Sequence, residues 1–331
     1  MEKIMQNFKN ILCVTDLSQV SINAEIAALR LSQLFSAEMT VLSCGEHYAH
    51  IPNKFLNDNV VQPQENFPQS EEYKKFLEQK KLETYDHFKK ISERFHVKIP
   101  ENIGYEIKLE NEVTATIDIL EEKNNKIDLI IVGKQQSSFW ERLLFGSPAK
   151  EICNESKVST LIMPSSEEWS TWEPKGILVA SALNETSEYA EEVAATFAAK
   201  ANCPLLLLHI FDATTTHLDM NISHIFPIDY VPSQIQTDTI DEIKAQKTTE
   251  IKKIKQTLQD KTGFTNINTQ IDTGRVGDEI LNLIKKDKNK NLLIIGARGE
   301  SALKRFFLGS KTSAIEEACF IPLLVAQKNF T

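Results

Sequence analysis

The residues of this chain best suited to chemistry lie near its C-terminus, in the stretch 291–312, NLLIIGARGESALKRFFLGSKT. A four-residue apolar run, Leu292–Ile295, stops at Gly296; Gly299 follows, and after nine more residues come Gly309 and Ser310. A short apolar run closed by glycine reads as a buried strand of a parallel sheet. Ser310 onward reads as a helix start, with Ala314, Ile315 and Ala318 on one face. Glycines let backbone approach a ligand closely, and the first amides of a helix are unpaired donors in a field that favours anions. Arg298, Lys304, Arg305 and Lys311 add cations in or beside the loop. Strand, glycine loop and helix start together describe a phosphate cradle. The spacing is not that of a Walker A loop, and on residue types alone a tight turn with helix-capping residues reads equally well.

The same stretch resembles the nucleotide-binding segment of the universal stress protein family, whose loop runs glycine, two residues, glycine, nine residues, glycine, then serine or threonine. Gly296, Gly299, Gly309 and Ser310 fit all four points. The resemblance implies nucleotide contacts from Gly296, Ala297, Arg298, Gly299, Gly309, Ser310, Lys311 and Thr312 to phosphates and ribose. It further implies an adenine-facing position at Ile210, with Ser181 and Ala182 bordering base and sugar. The ligand it implies is an adenine nucleotide, ATP in the first instance, with or without Mg2+.

Other candidate chemistry is thin. Ser301-Ala302-Leu303-Lys304 satisfies SxxK but lies inside the glycine loop and lacks companion motifs. His217 and His224, with Asp219 and Asp229, share a long loop without metal-ligand spacing, and read as a solvated surface. His209, in an apolar strand, reads as a satisfied histidine at a strand edge rather than a general base. No catalytic residue and no metal ligand is therefore assigned.

The elements that position the loop occur twice. Residues 127–147 superimpose on 290–310 with a constant offset of 163, so that Gly133 matches Gly296, Arg142 matches Arg305, and Gly146 and Ser147 match Gly309 and Ser310. Upstream, NILCVTD at 10–16 matches GILVASA at 176–182 with an offset of 166. The chain is a tandem duplication, with expected domains at 1–164 and 176–331 and a polar linker at 165–175 between Pro164 and Pro174. Trp169 and Trp172 in that linker should pack on a domain rather than face water.

Each half alternates strands and helices. In the first, strand Ile11–Val14 precedes a helix with Ala24, Ala27, Ala28, Leu31 and Phe35 on one stripe. Strand Met39–Cys44, a long loop to Ser70, a charged helix over 71–95, strand Tyr105–Leu109, helix Val113–Glu122 and strands Leu129–Val132 and Thr160–Met163 follow. The second half repeats the order, with strands at 177–181, 205–211, 267–272, 292–295 and 322–326. Asn184 should cap its first helix, whose buried face carries Ala190, Val193, Ala194, Phe197 and Ala201. Alternation of this kind predicts an α/β fold of two tandem doubly wound, flavodoxin-like domains, each with a five-stranded, mostly parallel sheet. Ligands then sit beyond the strand C-termini where strand order reverses. The resemblance places that crevice between the first and fourth strands of each half, and implies that the halves pair through their last strands as an intramolecular pseudo-dimer, with a homodimer also open.

The halves differ where phosphate would bind. Gln135, Gln136, Glu141 and Pro148 stand in the first half at the positions of Arg298, Gly299, Lys304 and Lys311. Conversely Asp16 follows the first strand where the second half has Ala182. Nucleotide is thus expected in the second half.

The whole chain, 331 residues with 41% hydrophobic and 25% charged residues, has the composition of a globular protein of two domains. A net charge of −9 argues against a nucleic-acid or anionic-membrane surface, and no apolar run approaches a membrane span. Five scattered cysteines without a CxxC pair suit core positions in a reducing cytoplasm. These features together describe a cytoplasmic, nucleotide-dependent binding or regulatory module of the stress response. A slow ATP hydrolase using the same site, and a scaffold holding an apolar ligand, are the alternatives.

Overall fold

The computed structural model describes residues 8–44, 56–57, 60–63, 70–123, 126–134, 148–211, 233–296 and 321–328. The described chain falls into two compact units, one built from 7–173 and one from 174–327.

In the first unit β1 (Asn10–Thr15), α1 (Ile22–Phe35) and β2 (Glu38–Ser43) form a βαβ unit, and β3 (Leu56–Asn57) pairs antiparallel with β4 (Val60–Pro63) as a short hairpin. α2 (Glu71–Phe95), β5 (Ile103–Ile107), α3 (Glu112–Glu122), β6 (Leu129–Lys134), α4 (Pro148–Ser156) and β7 (Ser159–Pro164) follow. The main strands lie in the order β5-β2-β1-β6-β7, every described pair among them parallel. The apolar stripe predicted for α1 is buried throughout: Ala24, Ala28 and Leu31 are wholly inaccessible and Phe35 stacks obliquely on Phe8, with ring centroids 5.1 Å apart.

The second unit repeats this plan with β8 (Ile177–Ala180), α5 (Glu185–Ala201), β9 (Leu205–Phe211), α6 (Ser233–Thr262), β10 (Ile267–Thr273), α7 (Val276–Lys286), β11 (Leu292–Gly296) and β12 (Leu323–Ala326). Its strand order is β10-β9-β8-β11-β12, again parallel. The chain moves outward from β8 through β9 to β10, then returns to β11 on the other side of β8. Order therefore reverses between β8 and β11, the place where open α/β sheets bind ligands.

Local chemistry sets the helix ends. Ser70, Asn111 and Asn184 accept hydrogen bonds from the first-turn amides of α2, α3 and α5, as predicted for Asn184. Ser36, His96 and Asn202 close α1, α2 and α5 in the left-handed conformation.

One expectation shifts. The third strand of the first half was placed at Tyr105–Leu109 by its alternation of apolar residues; it runs Ile103–Ile107, because the β2 register pairs Met39 with Ile103 and Ser43 with Ile107. Leu109 is buried beyond the strand end. The polar stretch between the halves is tied down along its length: residues 167–169 make a single helical turn and Trp172 is 3% exposed. Asn23 Nδ2 donates to the carbonyls of Pro164 and Ser166 at 2.7 and 2.8 Å, and an Arg30 guanidinium N–H donates to the Trp172 carbonyl at 2.7 Å. Trp172 thus packs on the first unit. Four of the five cysteines, Cys13, Cys44, Cys153 and Cys203, are buried, as core residues should be; Cys319 lies outside the described residues.

Candidate functional site

The C-terminal ends of β8, β9 and β11 bring together Ser181 and Ala182, Ile210, and Gly296. β8 and β9 are in register from Ile177↔Leu205 to Ala180↔Leu208, and β11 pairs with β8 through Ile294↔Val179. Ala182 is exposed, Ile210 is 8% exposed, and Gly296 is half-buried at the strand end. Ala297, Arg298, Gly299, Gly309, Ser310, Lys311 and Thr312 lie outside the described residues, as do His217, His224 and the first-half loop at 135–147.

Gly296 serves a packing need of its own. A Cβ there would lie 3.0 Å from the Thr186 carbonyl oxygen, in the first turn of α5. Gly133 repeats the arrangement at the end of β6, where a Cβ would meet Ser21 Cα at 3.0 Å and the Val20 carbonyl at 3.1 Å. In both halves a glycine lets the fourth strand abut the start of the first helix. This approach draws the β8–α5 turn and the departure of the glycine loop to one place.

That turn rests on a polar core which the reading of apolar stripes missed. Ser181 Oγ donates to Glu191 Oε1 at 2.6 Å, and Ser187 Oγ donates to the same oxygen at 2.8 Å. Glu191 is 3% exposed, and burial, opposed by those two hydroxyls, holds its carboxyl above the usual range. Ser181 Oγ accepts from the Leu183 amide at 3.1 Å, and Ser187 Oγ from the Ala182 amide at 3.0 Å. Leu183 is held at φ +56°, a left-handed conformation that costs a leucine about 1–2 kcal/mol.

The first half carries the same latch at an offset of 166. Thr15 Oγ1 donates to the wholly buried Glu25 at 2.5 Å and accepts from the Leu17 amide at 2.8 Å, with Leu17 at φ +60°. His87 Nε2, from α2, reaches the other Glu25 oxygen at 2.9 Å. Asp16 accepts from the Ser18 amide and the Ser21 hydroxyl at 3.0 and 2.7 Å. Burial would raise its carboxyl, but those bonds outweigh it and hold it low. One signal could have found this core: the 166-residue repeat that aligns Thr15 with Ser181 also aligns Glu25 with Glu191.

Chemically, the described part of the second crevice is a saturated floor. The amides of Ala182 and Leu183 and the hydroxyl of Ser181 are already engaged, so the turn presents no free hydrogen-bonding group of theirs. Among the described residues no cluster of three or more His, Cys, Asp or Glu could hold a metal ion.

The family model described as Universal stress protein family matches residues 7–164 and again 174–327. The chain belongs to that family. A universal stress protein from Archaeoglobus fulgidus DSM 4304 has the same fold over 98% of this chain and 98% of its own, at 16% identity and a TM-score of 0.53. A functionally unknown protein from Pseudomonas aeruginosa PAO1 matches over 97% of this chain and 93% of its own, at 15% identity and a TM-score of 0.52. A universal stress protein solved in complex with cAMP covers 48% of this chain and 98% of its own, at 19% identity and a TM-score of 0.32. No curated protein matches the sequence significantly. As in other universal stress proteins, the fold is flavodoxin-like, here present twice. No described helix of this universal stress protein is long and apolar enough to cross a membrane.

Proposed function

We propose that the chain is a nucleotide-dependent binding and regulatory module that holds an adenine nucleotide, ATP, in its second half. The observation that carries this reading is the convergence of Ser181, Ala182, Ile210 and Gly296 at the switch point of the second sheet, with the complete glycine spacing leaving from Gly296 itself. In this reading the base and sugar lie over the Ser181–Ala182 turn and Ile210. The phosphates take the amides of Gly299 and of Gly309–Thr312, with Arg298, Lys304 and Lys311 beside them.

Binding rather than turnover is the function. Phosphoryl transfer needs a placed nucleophile and charge-neutralising groups, and Ala182 stands where the first half has a carboxylate. The first half, with Gln135, Glu141 and Pro148, lacks the matching cations. Each charge-assisted hydrogen bond lost costs about 1.5–3 kcal/mol, and about 1.4 kcal/mol is tenfold in affinity; two such losses weaken phosphate binding roughly a hundredfold or more. Calorimetry with ATP tests the reading: Gly309→Asp abolishes binding and Gly146→Asp leaves it nearly unchanged. Two equivalent sites, or binding lost with Gly146→Asp alone, would overturn it. Mass spectrometry of small molecules released on denaturing the purified protein identifies the ligand directly.

A further inference from the structure

The β8–β9 register that ends at Ala180↔Leu208 puts the next residue of each strand side by side, Ser181 and His209. His209 Nδ1 lies 2.9 Å from the Ser181 carbonyl oxygen. A carbonyl only accepts, so Nδ1 carries the ring hydrogen and a neutral ring leaves Nε2 as a bare acceptor. His209 is 8% exposed, and Nε2 is buried without a hydrogen-bond partner among the described residues. Contrary to the sequence expectation, this histidine is only half satisfied, and its strand lies between β8 and β10 rather than at the sheet edge.

Ser181 is thereby held from every side. Its amide donates to the Leu208 carbonyl at 2.8 Å, its hydroxyl donates to Glu191, and its carbonyl accepts from His209. We propose that His209 is the positioning residue of the second crevice, fixing the turn from Ser181 to Leu183 through the Ser181 carbonyl only while its imidazole is neutral. The proposal deepens the reading above, since the nucleotide is taken to lie on that turn.

The charge surroundings set the sign. From α6, Lys247 and Glu250 face the imidazole as an ion pair, Nζ to Oε2 3.0 Å, the lysine opposing a second proton and the glutamate favouring it. From α5, Glu191 is reached through the Ser181 hydroxyl. From β10, Asp272 is one register position on and accepts from Gln270 at 2.7 Å. Phe211 stacks beside the ring at 6.3 Å between centroids. Burial outweighs the Ser181 bond and the glutamate, holding the imidazole below its ordinary value of 6.5. An imidazolium would carry a second N–H into a place with no acceptor among the described residues. Leaving Ser181 would free the ring to seek water or the Glu250 carboxylate, whose charge favours the second proton. The first half has Ser43 at the matching position, so this device belongs to the half whose glycine spacing is complete.

Hydrogen–deuterium exchange of the ligand-free full chain from pH 8 to 5, corrected for intrinsic rates, reads the turn directly. Protection of the Ala182 and Leu183 amides should fall about tenfold per pH unit once His209 protonates, below its ordinary value of 6.5. In His209→Asn, whose side-chain amide can donate to Ser181 but does not titrate, protection should stay flat. The ratio of ATP affinities of the parent and His209→Asn should fall over the same range, the ligand's own titration cancelling in the ratio. Imidazole 15N shifts of the parent supply a reading independent of any variant: they should show hydrogen on Nδ1 and a bare Nε2 at pH 8. An Nε2–H tautomer, or identical pH profiles for parent and variant, would overturn the proposal. Failure of the parent to bind ATP at pH 8, with the exchange behaving as stated, would instead overturn the nucleotide reading and leave the positioning role standing.

Discussion

The sharpest consequence of the repeated latch is what Glu25→Ala should do to the first unit. Glu25 is wholly inaccessible and holds two partners, Thr15 Oγ1 at 2.5 Å and His87 Nε2 at 2.9 Å. Each hydrogen bond to a charged group contributes about 1.5–3 kcal/mol, so two contribute about 3–6. Against this stands the desolvation of the carboxyl group, recovered when it is removed; but the buried Thr15 hydroxyl and the partly exposed His87 Nε2 then lose their partner. Each polar atom left without its partner costs about 1–3 kcal/mol, so the two together cost about 2–6 kcal/mol. With a urea slope of about 2 kcal/mol/M, the midpoint falls by about 2 M. Trp169 and Trp172 lie in the first unit and Trp140 falls within its sequence range, so intrinsic fluorescence reports chiefly on that unit even though a two-unit chain need not unfold in one step. Glu25→Gln keeps an acceptor for Thr15 and should cost about 1 kcal/mol, while His87→Ala leaves one carboxylate oxygen unpaired and should cost about 1–3. A fluorescence midpoint for Glu25→Ala within about 0.3 M of the parent, equivalent to roughly 0.6 kcal/mol at that slope, would refute the reasoning. So would Glu25→Gln being as damaging as Glu25→Ala.

Three other outcomes follow from particular contacts. Gly133→Ala and Gly296→Ala should each destabilise their own half by about 1–3 kcal/mol, because the added methyl meets helix backbone rather than a yielding side chain; limited proteolysis with fragment mapping assigns the loss to a half. Leu17→Gly and Leu183→Gly relieve left-handed backbone and should be neutral or stabilising by up to about 1 kcal/mol in thermal unfolding, against a clear loss for the same change in a regular helix. Burial pushes the thiols of Cys153 and Cys203 up to about 12 and about 11 and raises those of Cys13 and Cys44 as well, so these four should resist a disulfide reagent at pH 8 until the chain unfolds.

The architecture was legible in the sequence because its signals are strong and local. Central strands such as Leu129–Val132 and Leu292–Ile295 are unbroken apolar runs, and the duplication repeats both ends of each half in register. β5 lies two residues earlier than expected because most of it is only half-buried and its limits are set by pairing with β2, which no local pattern encodes. The hairpin of β3 and β4 joins a two-residue strand to a four-residue one, too short to leave a period. The polar core escaped for a different reason. A helix read by its apolar stripe assigns glutamates to water, yet Glu25 and Glu191 point inward because a strand-end hydroxyl waits for each. His209 was placed correctly in its strand, but whether both ring nitrogens are satisfied depends on a neighbouring strand and a helix about forty residues away.

The latch and the crevice answer to different demands, and the two halves show how they separate. Thr15 or Ser181, a left-handed leucine and a buried glutamate recur in both because each removes a cost that the others create: the carboxylate needs hydroxyl donors, and the strained turn needs its amide bonded. Changing the hydroxyl residue or the glutamate leaves a buried polar atom alone, at about 1–3 kcal/mol for each atom so orphaned, whereas the leucines contribute only their amides. Asp16 and Ala182 differ although the hydroxyl, the left-handed leucine and the buried glutamate are kept in both halves. His209 departs from that pattern: it is tied to the latch through Ser181 yet has no counterpart in the first half, where Ser43 stands. An imidazole placed there leaves one nitrogen unpaired while the other holds Ser181, so its role is sought in the turn it holds.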